Sequence, residues 1–155
     1  MLADSELVIG LVSPVGTDIQ RAMDTLKSEL SQYGYEPYEV HVSELFPLLS
    51  GEDQQVDTHE SEYKRIKRLI KQGNDLRREY DACDVLAFGV VSKIEAIRQE
   101  MLDFPRRAYI VNSLKRPEEV TLLRSIYGDG FYLISVLSDQ EKGKHSYRQR
   151  WTLKM

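Results

Sequence analysis

The chain is poor in cysteine, and its only one, Cys83, has no partner in the sequence. That excludes an internal disulfide and a thiolate-rich zinc site, and it fits a reducing compartment. Cys83 itself is expected in the core. No run approaches the roughly 18 apolar residues of a membrane span, and Met1 to Glu6 lacks the basic start and long apolar stretch of a secretory signal. The chain is therefore expected to be soluble and cytoplasmic, with no membrane partner. Neither sign of charge dominates: 21 basic residues face 25 acidic ones, a net charge of −4. This argues against a surface coated in positive charge. Internal repeats and low-complexity segments are also absent.

At 155 residues, 41% of them apolar and 30% charged, the chain suits one globular core rather than two. Leu7-Val8-Ile9-Gly10-Leu11-Val12 is a short apolar run of the kind buried on both faces of a parallel sheet. Ser13-Pro14-Val15-Gly16 reads as a turn. Ile19, Ala22, Met23, Leu26, Leu30 and Tyr33 then recur at helical spacing, with Thr17 and Gln20 as a capping box and Gly34 as the C-cap. Glu36 to Val42 predicts a second strand, which Pro37 confines to an edge or a strand start. A loop spans Ser50 to Thr58. A long helix follows from about Ser61 to Tyr80, with Tyr63, Ile66, Ile70 and Leu76 as its apolar face and Gly73-Asn74 as an interruption. A further helix starts at Asp84, burying Val85, Phe88, Val91, Ile94, Ile97 and Met101. Ala108 to Val111 is a third strand, a helix opens around Pro117, and Phe131 to Leu137 is a fourth strand. Strands alternating with helices define an α/β fold, a three-layer parallel sheet wound as in nucleotide-binding proteins.

The first strand, loop and helix form a unit that presents backbone N–H groups and a helix dipole to one point, where phosphate binds well. Gly10 and Gly16 would let the backbone approach such a ligand. A full phosphate loop reads G-x-x-x-x-G-K-[ST]. Aligned on Gly16, Leu11 replaces the first glycine, Thr17 the lysine, and Asp18 the hydroxyl residue that holds magnesium. Losing a lysine and gaining an acid weaken the attraction for a triphosphate. A phosphate-binding loop and a plain strand-to-helix turn both remain open. So do two readings of the basic clusters, Lys64, Arg65, Lys67, Arg68, Lys71, Arg77 and Arg78, and Lys142 to Lys154: phosphate contact, or a solvated face and a frayed tail.

Glu6 to Thr17, Gly73-Asn74-Asp75-Leu76-Arg77, Asn112 to Val120 and Leu122 to Phe131 together resemble the antiphage dCTP deaminases, related to dCMP deaminases, over nearly all of the chain. In that family a P-loop nucleotide-kinase-like domain precedes a zinc deaminase domain that converts deoxycytidine nucleotides to deoxyuridine nucleotides. The resemblance implies that residues 1–155 are a single P-loop-kinase-like domain, truncated so that the last strand and helix of that fold and the deaminase domain are lacking. Zinc deaminases need H-x-E and a later P-C-x-x-C. His41, His59 and His145 are followed two residues on by Ser43, Ser61 and Tyr147. No deaminase activity is thus expected from this chain, and zinc belongs only to the missing domain.

The expected function is an amino-terminal nucleotide-binding or regulatory domain, with dCTP or ATP as ligand and magnesium as companion. Gly10, Ser13, Gly16 and Thr17 would meet phosphate, with simple capping as the alternative for Thr17. Asn74 and Arg77 fall where the resemblance implies a second-substrate or base-recognition site, a surface salt bridge being the alternative for Arg77. Asn112 and Lys115 follow the third strand at the carboxyl edge, where open α/β sheets bind ligands. Arg148 and Arg150 resemble an arginine-rich lid, or form a frayed terminus. Competing functions are a small nucleotide kinase or ATPase with a degenerate loop, and a module contacting protein or regulatory RNA. Loss of a terminal strand would leave an open sheet edge and favour homo-oligomers.

Overall fold

In the computed structural model, residues 6–14, 17–51, 60–100, 106–138 and 149–153 are described, with backbone only for 138 and 149–153. The apolar run Leu7–Val12 forms β1 at the centre of a sheet. On one side it pairs in parallel with β3, Arg107–Asn112, from Leu7↔Ala108 to Gly10↔Val111. On the other it pairs in parallel with β4, Phe131–Ser138, from Val8↔Phe131 to Val12↔Ser135. All six residues of β3 are buried, as a central strand covered on both faces requires. β2, Glu36–His41, pairs only with β3. It occupies an edge, where Pro37 has no ladder N–H to withhold.

The sheet has five strands in the order β2-β3-β1-β4-β5. β5, Gln149–Leu153, lies antiparallel to β4, from Ser138↔Gln149 to Ile134↔Leu153. This corrects the expectation of an all-parallel sheet left open beyond its fourth strand. The basic stretch read as lid or frayed tail supplies an antiparallel edge strand instead.

The pleat sends alternate side chains to opposite faces, and each face has its own apolar cluster. Ile9, Leu11, Ile110, Ile134 and Val136 pack under Ala22 and Met23 of α1, Gln20–Gln32. Val8, Val40, Tyr109, Val111 and Phe131 pack under four other helices: α2 (Phe46–Ser50), α3 (Glu62–Glu79), α4 (Val85–Glu100) and α5 (Pro117–Tyr127). The molecule is thus three layers, helix, sheet and helix. Val90 and Ile94 of α4 are fully buried, each worth about 1.5–3 kcal/mol relative to an exposed side chain.

Local sequence explains the helix ends. The N-cap of α1 is Ile19 rather than Thr17, and Asp18 Oδ1, one residue before it, accepts the Gln20 N–H at 3.1 Å. Gly34, at φ 77°, ends it, while the Tyr35 N–H reaches the Leu30 carbonyl at 2.9 Å, the αL exit glycine permits. Ser61 Oγ caps α3 by accepting from the Lys64 N–H at 3.4 Å. α3 runs unbroken through Gly73. There a Cβ would lie 3.3 Å from Arg77 Nη1 and 3.4 Å from Phe46 Cζ, so this glycine answers a packing need.

Several expectations of burial are overturned, Tyr33 after α1 being exposed. Tyr63 and Ile70 of α3 are exposed, because only its second half, around Gly73 and Leu76, packs inward. Phe88 is exposed as well, since α4 turns the neighbouring Leu86, Ala87, Gly89 and Val90 to the core. Cys83 lies on the surface, in the turn before α4.

Candidate functional site at the carboxyl edge of the sheet

The strand order creates one place where the chain departs in opposite directions. From β1 the chain crosses through α1 to β2 on the left, whereas from β3 it crosses β1 through α5 to β4 on the right. With connections of one hand, α1 and α5 must lie on opposite faces, as their two apolar clusters show. The loops after β1 and β3 therefore diverge and leave a crevice between the carboxyl ends of these neighbouring strands. Open α/β sheets bind ligands at such a switch point.

Three contacts hold the two lips at a fixed spacing. The Leu114 N–H extends the ladder beyond β3 by donating to the Leu11 carbonyl at 3.3 Å. The Leu114 side chain packs over β1, where a Cβ on Gly10 would come within 2.7 Å of its Cδ1 and 3.2 Å of Phe131 Cζ. Lys115 Nζ donates to the Ser13 carbonyl at 3.2 Å, joining the β3 loop to the β1 loop. Although Lys115 is exposed overall, desolvation of its ammonium by the surrounding loops holds its pKa below the usual lysine value, against the opposing pull of the Glu119 charge.

Below Lys115 lies a residue that the sequence does not single out. Glu119, in the first turn of α5, is fully buried. One carboxylate oxygen accepts from the backbone N–H groups of Lys115 and Arg116 at 2.9 and 3.1 Å, and the other accepts from Arg77 Nη2 at 2.5 Å. Two N–H donors at a helix start and the positive end of its dipole make this a favourable seat for a carboxylate. Arg77, on α3, is nearly as buried. The glutamate three residues after Arg116 is the acidic half of a capping box, the only local signal that could have found it. Its partner is 42 residues away.

A second network lines the other side. Asn112 ends β3 beside His41, with which it is in register. Asn112 Nδ2 donates to His41 Nδ1 at 3.3 Å, His41 Nε2 donates to Glu39 Oε2 at 2.8 Å, and Lys27 of α1 pairs with the other Glu39 oxygen. Burial would raise the Glu39 carboxyl, but the hydrogen bonds from Lys27 and His41 outweigh it and hold the pKa below the usual carboxylate range. Ser113 follows at φ 76°. This left-handed conformation is rare for a residue with a Cβ. Its Oγ donates to Asn112 Oδ1 at 3.1 Å.

The structure thus brings Ser13, Asn112, Lys115 and, through Glu119, Arg77 to the crevice. Thr17 is in the adjoining loop, its N–H spent on the Pro14 carbonyl at 3.2 Å. Gly10 lies in mid-strand, where its missing side chain makes room for Leu114 and Phe131 rather than for a ligand. Asn74 is exposed on α3. Gly16 and Arg148 lie outside the described residues, and Arg150 is placed by its backbone alone, opposite Leu137. Most cations of the α3 cluster are partnered, Arg65 by Glu62, Arg68 by Glu60, and Lys71 and Arg78 by Asp75. The described residues contain no group of three or more His, Cys, Asp or Glu side chains suited to a metal, and no helix long and apolar enough to cross a membrane.

Fold and edge together define the class: an α/β protein of three layers with a mostly parallel sheet and polar side chains at its switch point. No protein-family model and no curated protein sequence matches the chain.

Proposed function

We propose that the chain is a nucleotide-binding domain that senses its ligand without transforming it, and that it acts as the amino-terminal regulatory domain of an antiphage deoxycytidylate (dCTP/dCMP) deaminase-like protein. The supporting observation is the Lys115 ammonium, which spans the switch-point crevice to the Ser13 carbonyl. A phosphate loop ordinarily draws its cation from its own lysine, and Thr17 stands in that place here. Lys115 brings a positive charge to the same loop from β3. The link to deaminases rests on the resemblance of the segments that build both lips, Glu6 to Thr17 and Asn112 to Val120. The Asp18 carboxylate, bonded to the Gln20 N–H at the start of α1, stands where a phosphate loop has its magnesium-binding hydroxyl, which favours binding without phosphoryl transfer.

The test is thermal unfolding of the purified chain with and without millimolar dCTP, ATP and magnesium. A ligand present at 100 times its Kd stabilises the folded state by about 2.7 kcal/mol, a Tm rise of about 5–11 °C for a chain of this size. The rise is expected for at least one nucleotide and is expected to fall by more than half in Lys115→Ala. A cooperative transition unmoved by every nucleotide would overturn the proposal. Phosphate release from ATP by the wild-type chain would shift the reading to a small kinase or ATPase.

One observation favours a different function. Tyr63 and Ile70 are exposed on α3 beside Lys64 and Lys67, a surface suited to a protein or RNA partner. RNA binding through it would weaken steeply with added salt.

A further inference from the structure

The hydrogen bonds between α1 and the crevice converge on the Glu39 carboxylate, and those from the crevice side all point toward it. Lys27 donates to Glu39, His41 Nε2 donates to Glu39, Asn112 Nδ2 donates to His41 Nδ1, and Ser113 Oγ donates to Asn112 Oδ1. An ionised carboxylate only accepts, so Glu39 fixes the proton of neutral His41 on Nε2 and leaves Nδ1 as an acceptor. That acceptor orients the Asn112 amide, and the amide oxygen takes the Ser113 hydroxyl proton. The hydroxyl at the crevice is left with lone pairs.

We infer that His41 sets the hydrogen-bond polarity of Ser113 at the crevice. With His41 neutral, Ser113 accepts from a ligand donor such as a sugar hydroxyl or exocyclic amine; with His41 protonated, Ser113 donates to a phosphate or carbonyl oxygen. The step balances. A proton from solvent binds His41 Nδ1, which becomes a donor. The Asn112 amide turns over, presenting Oδ1 to His41 and Nδ2 to Ser113 Oγ. Ser113 accepts that N–H, and its own O–H is released toward the crevice. Among the described residues, the charged groups facing His41 are Glu39 on its own strand and, through Glu39, Lys27 from α1; β3 contributes the uncharged Asn112. The left-handed backbone of Ser113 suits this role, because strain of this kind persists where surroundings hold a residue in a working position.

The proposal rests on the crevice binding a nucleotide, and the test separates the two. First, the full chain labelled with 15N-histidine is examined by NMR at pH 7.5 and 5.5, with His41 assigned by comparison with His41→Gln. The expected result is the Nε2–H tautomer for the neutral ring; an Nδ1–H tautomer overturns the relay. Second, the affinities of dCTP and of inorganic tripolyphosphate are compared at both pH values. In wild type the preference for dCTP should fall at least threefold on acidification, and in Ser113→Ala and His41→Gln the change should vanish. A fall of equal size in both variants overturns the inference, since the phosphates' own titration would then explain it. Failure of both probes to bind at either pH sinks the crevice reading, and the relay is then decided by the His41 tautomer.

Discussion

The buried pair between Arg77 and Glu119 offers the sharpest quantitative test of how the crevice is built. Glu119→Gln keeps an oxygen that can accept from the Lys115 and Arg116 N–H groups but removes the charge facing Arg77 at 2.5 Å. Arg77 would then be a buried cation without a counter-ion. Its Nε already has no hydrogen-bond partner among the described residues, leaving little local compensation. Removing one partner of a buried pair costs about 3–5 kcal/mol. For a domain of this size, where 1 kcal/mol moves Tm by about 2–4 °C, the drop should be at least about 6 °C. Arg77→Met removes the cation instead and leaves Glu119 its two backbone donors and the helix dipole, so it should cost less. The double variant, with a neutral unbranched side chain over Gly73, should recover part of the loss. The assay is thermal and urea unfolding of wild type, both single variants and the double variant, read by circular dichroism. A coupling energy of at least about 1.5 kcal/mol is expected for residues in direct contact. Values below about 0.5 kcal/mol would refute the idea that this pair joins α3 to α5.

Other consequences are independent of the pair. Gly10→Ala places a Cβ 2.7 Å from Leu114 Cδ1; overpacking should cost about 1–3 kcal/mol, seen as a lower urea midpoint with an unchanged slope. Tyr127→Phe deletes a buried hydroxyl with no partner among the described residues, so thermal unfolding should show a Tm unchanged or raised. Glu6 has its pKa lowered: burial alone would raise it, but bonds from Arg98 and Tyr109 and the charge of Arg107 prevail. A depressed folded pKa adds stability above the unfolded value and loses it as pH falls through the folded one. Urea titrations should therefore show wild type losing stability below about pH 4.3 more steeply than Glu6→Gln.

Which parts of this architecture were legible follows from where their causes lie. β1, β3 and β4 are apolar runs whose burial on both faces is written in their composition. α1 and α3 end at Gly34 and begin at Ser61 as local capping chemistry dictates. Asn112 and Lys115 could be placed by position alone, since strand ends in such sheets carry ligands. Misreadings arose where the cause is distant. Periodicity marked Tyr63 and Ile70 as buried, but periodicity cannot say how far along a helix its neighbour extends. Gly73 looked like a break because glycine disfavours helices, whereas Phe46 and Arg77 need the space. Glu119 carries no distinguishing signal in the sequence, because a glutamate in the first turn of a helix is ordinary until Arg77 arrives from another element. β5 gave no apolar run to detect, being an edge strand in a basic segment.

The two apolar clusters touch only through the sheet, and the crevice has one lip leading to each. The β1 lip belongs to the layer of α1, and the β3 lip to the layer of α5. A ligand gripping both would act as a staple through the thickness of the molecule, and its stabilisation would not stay at the binding surface. Hydrogen exchange would then slow together in α1 and α5, on opposite sides of the protein.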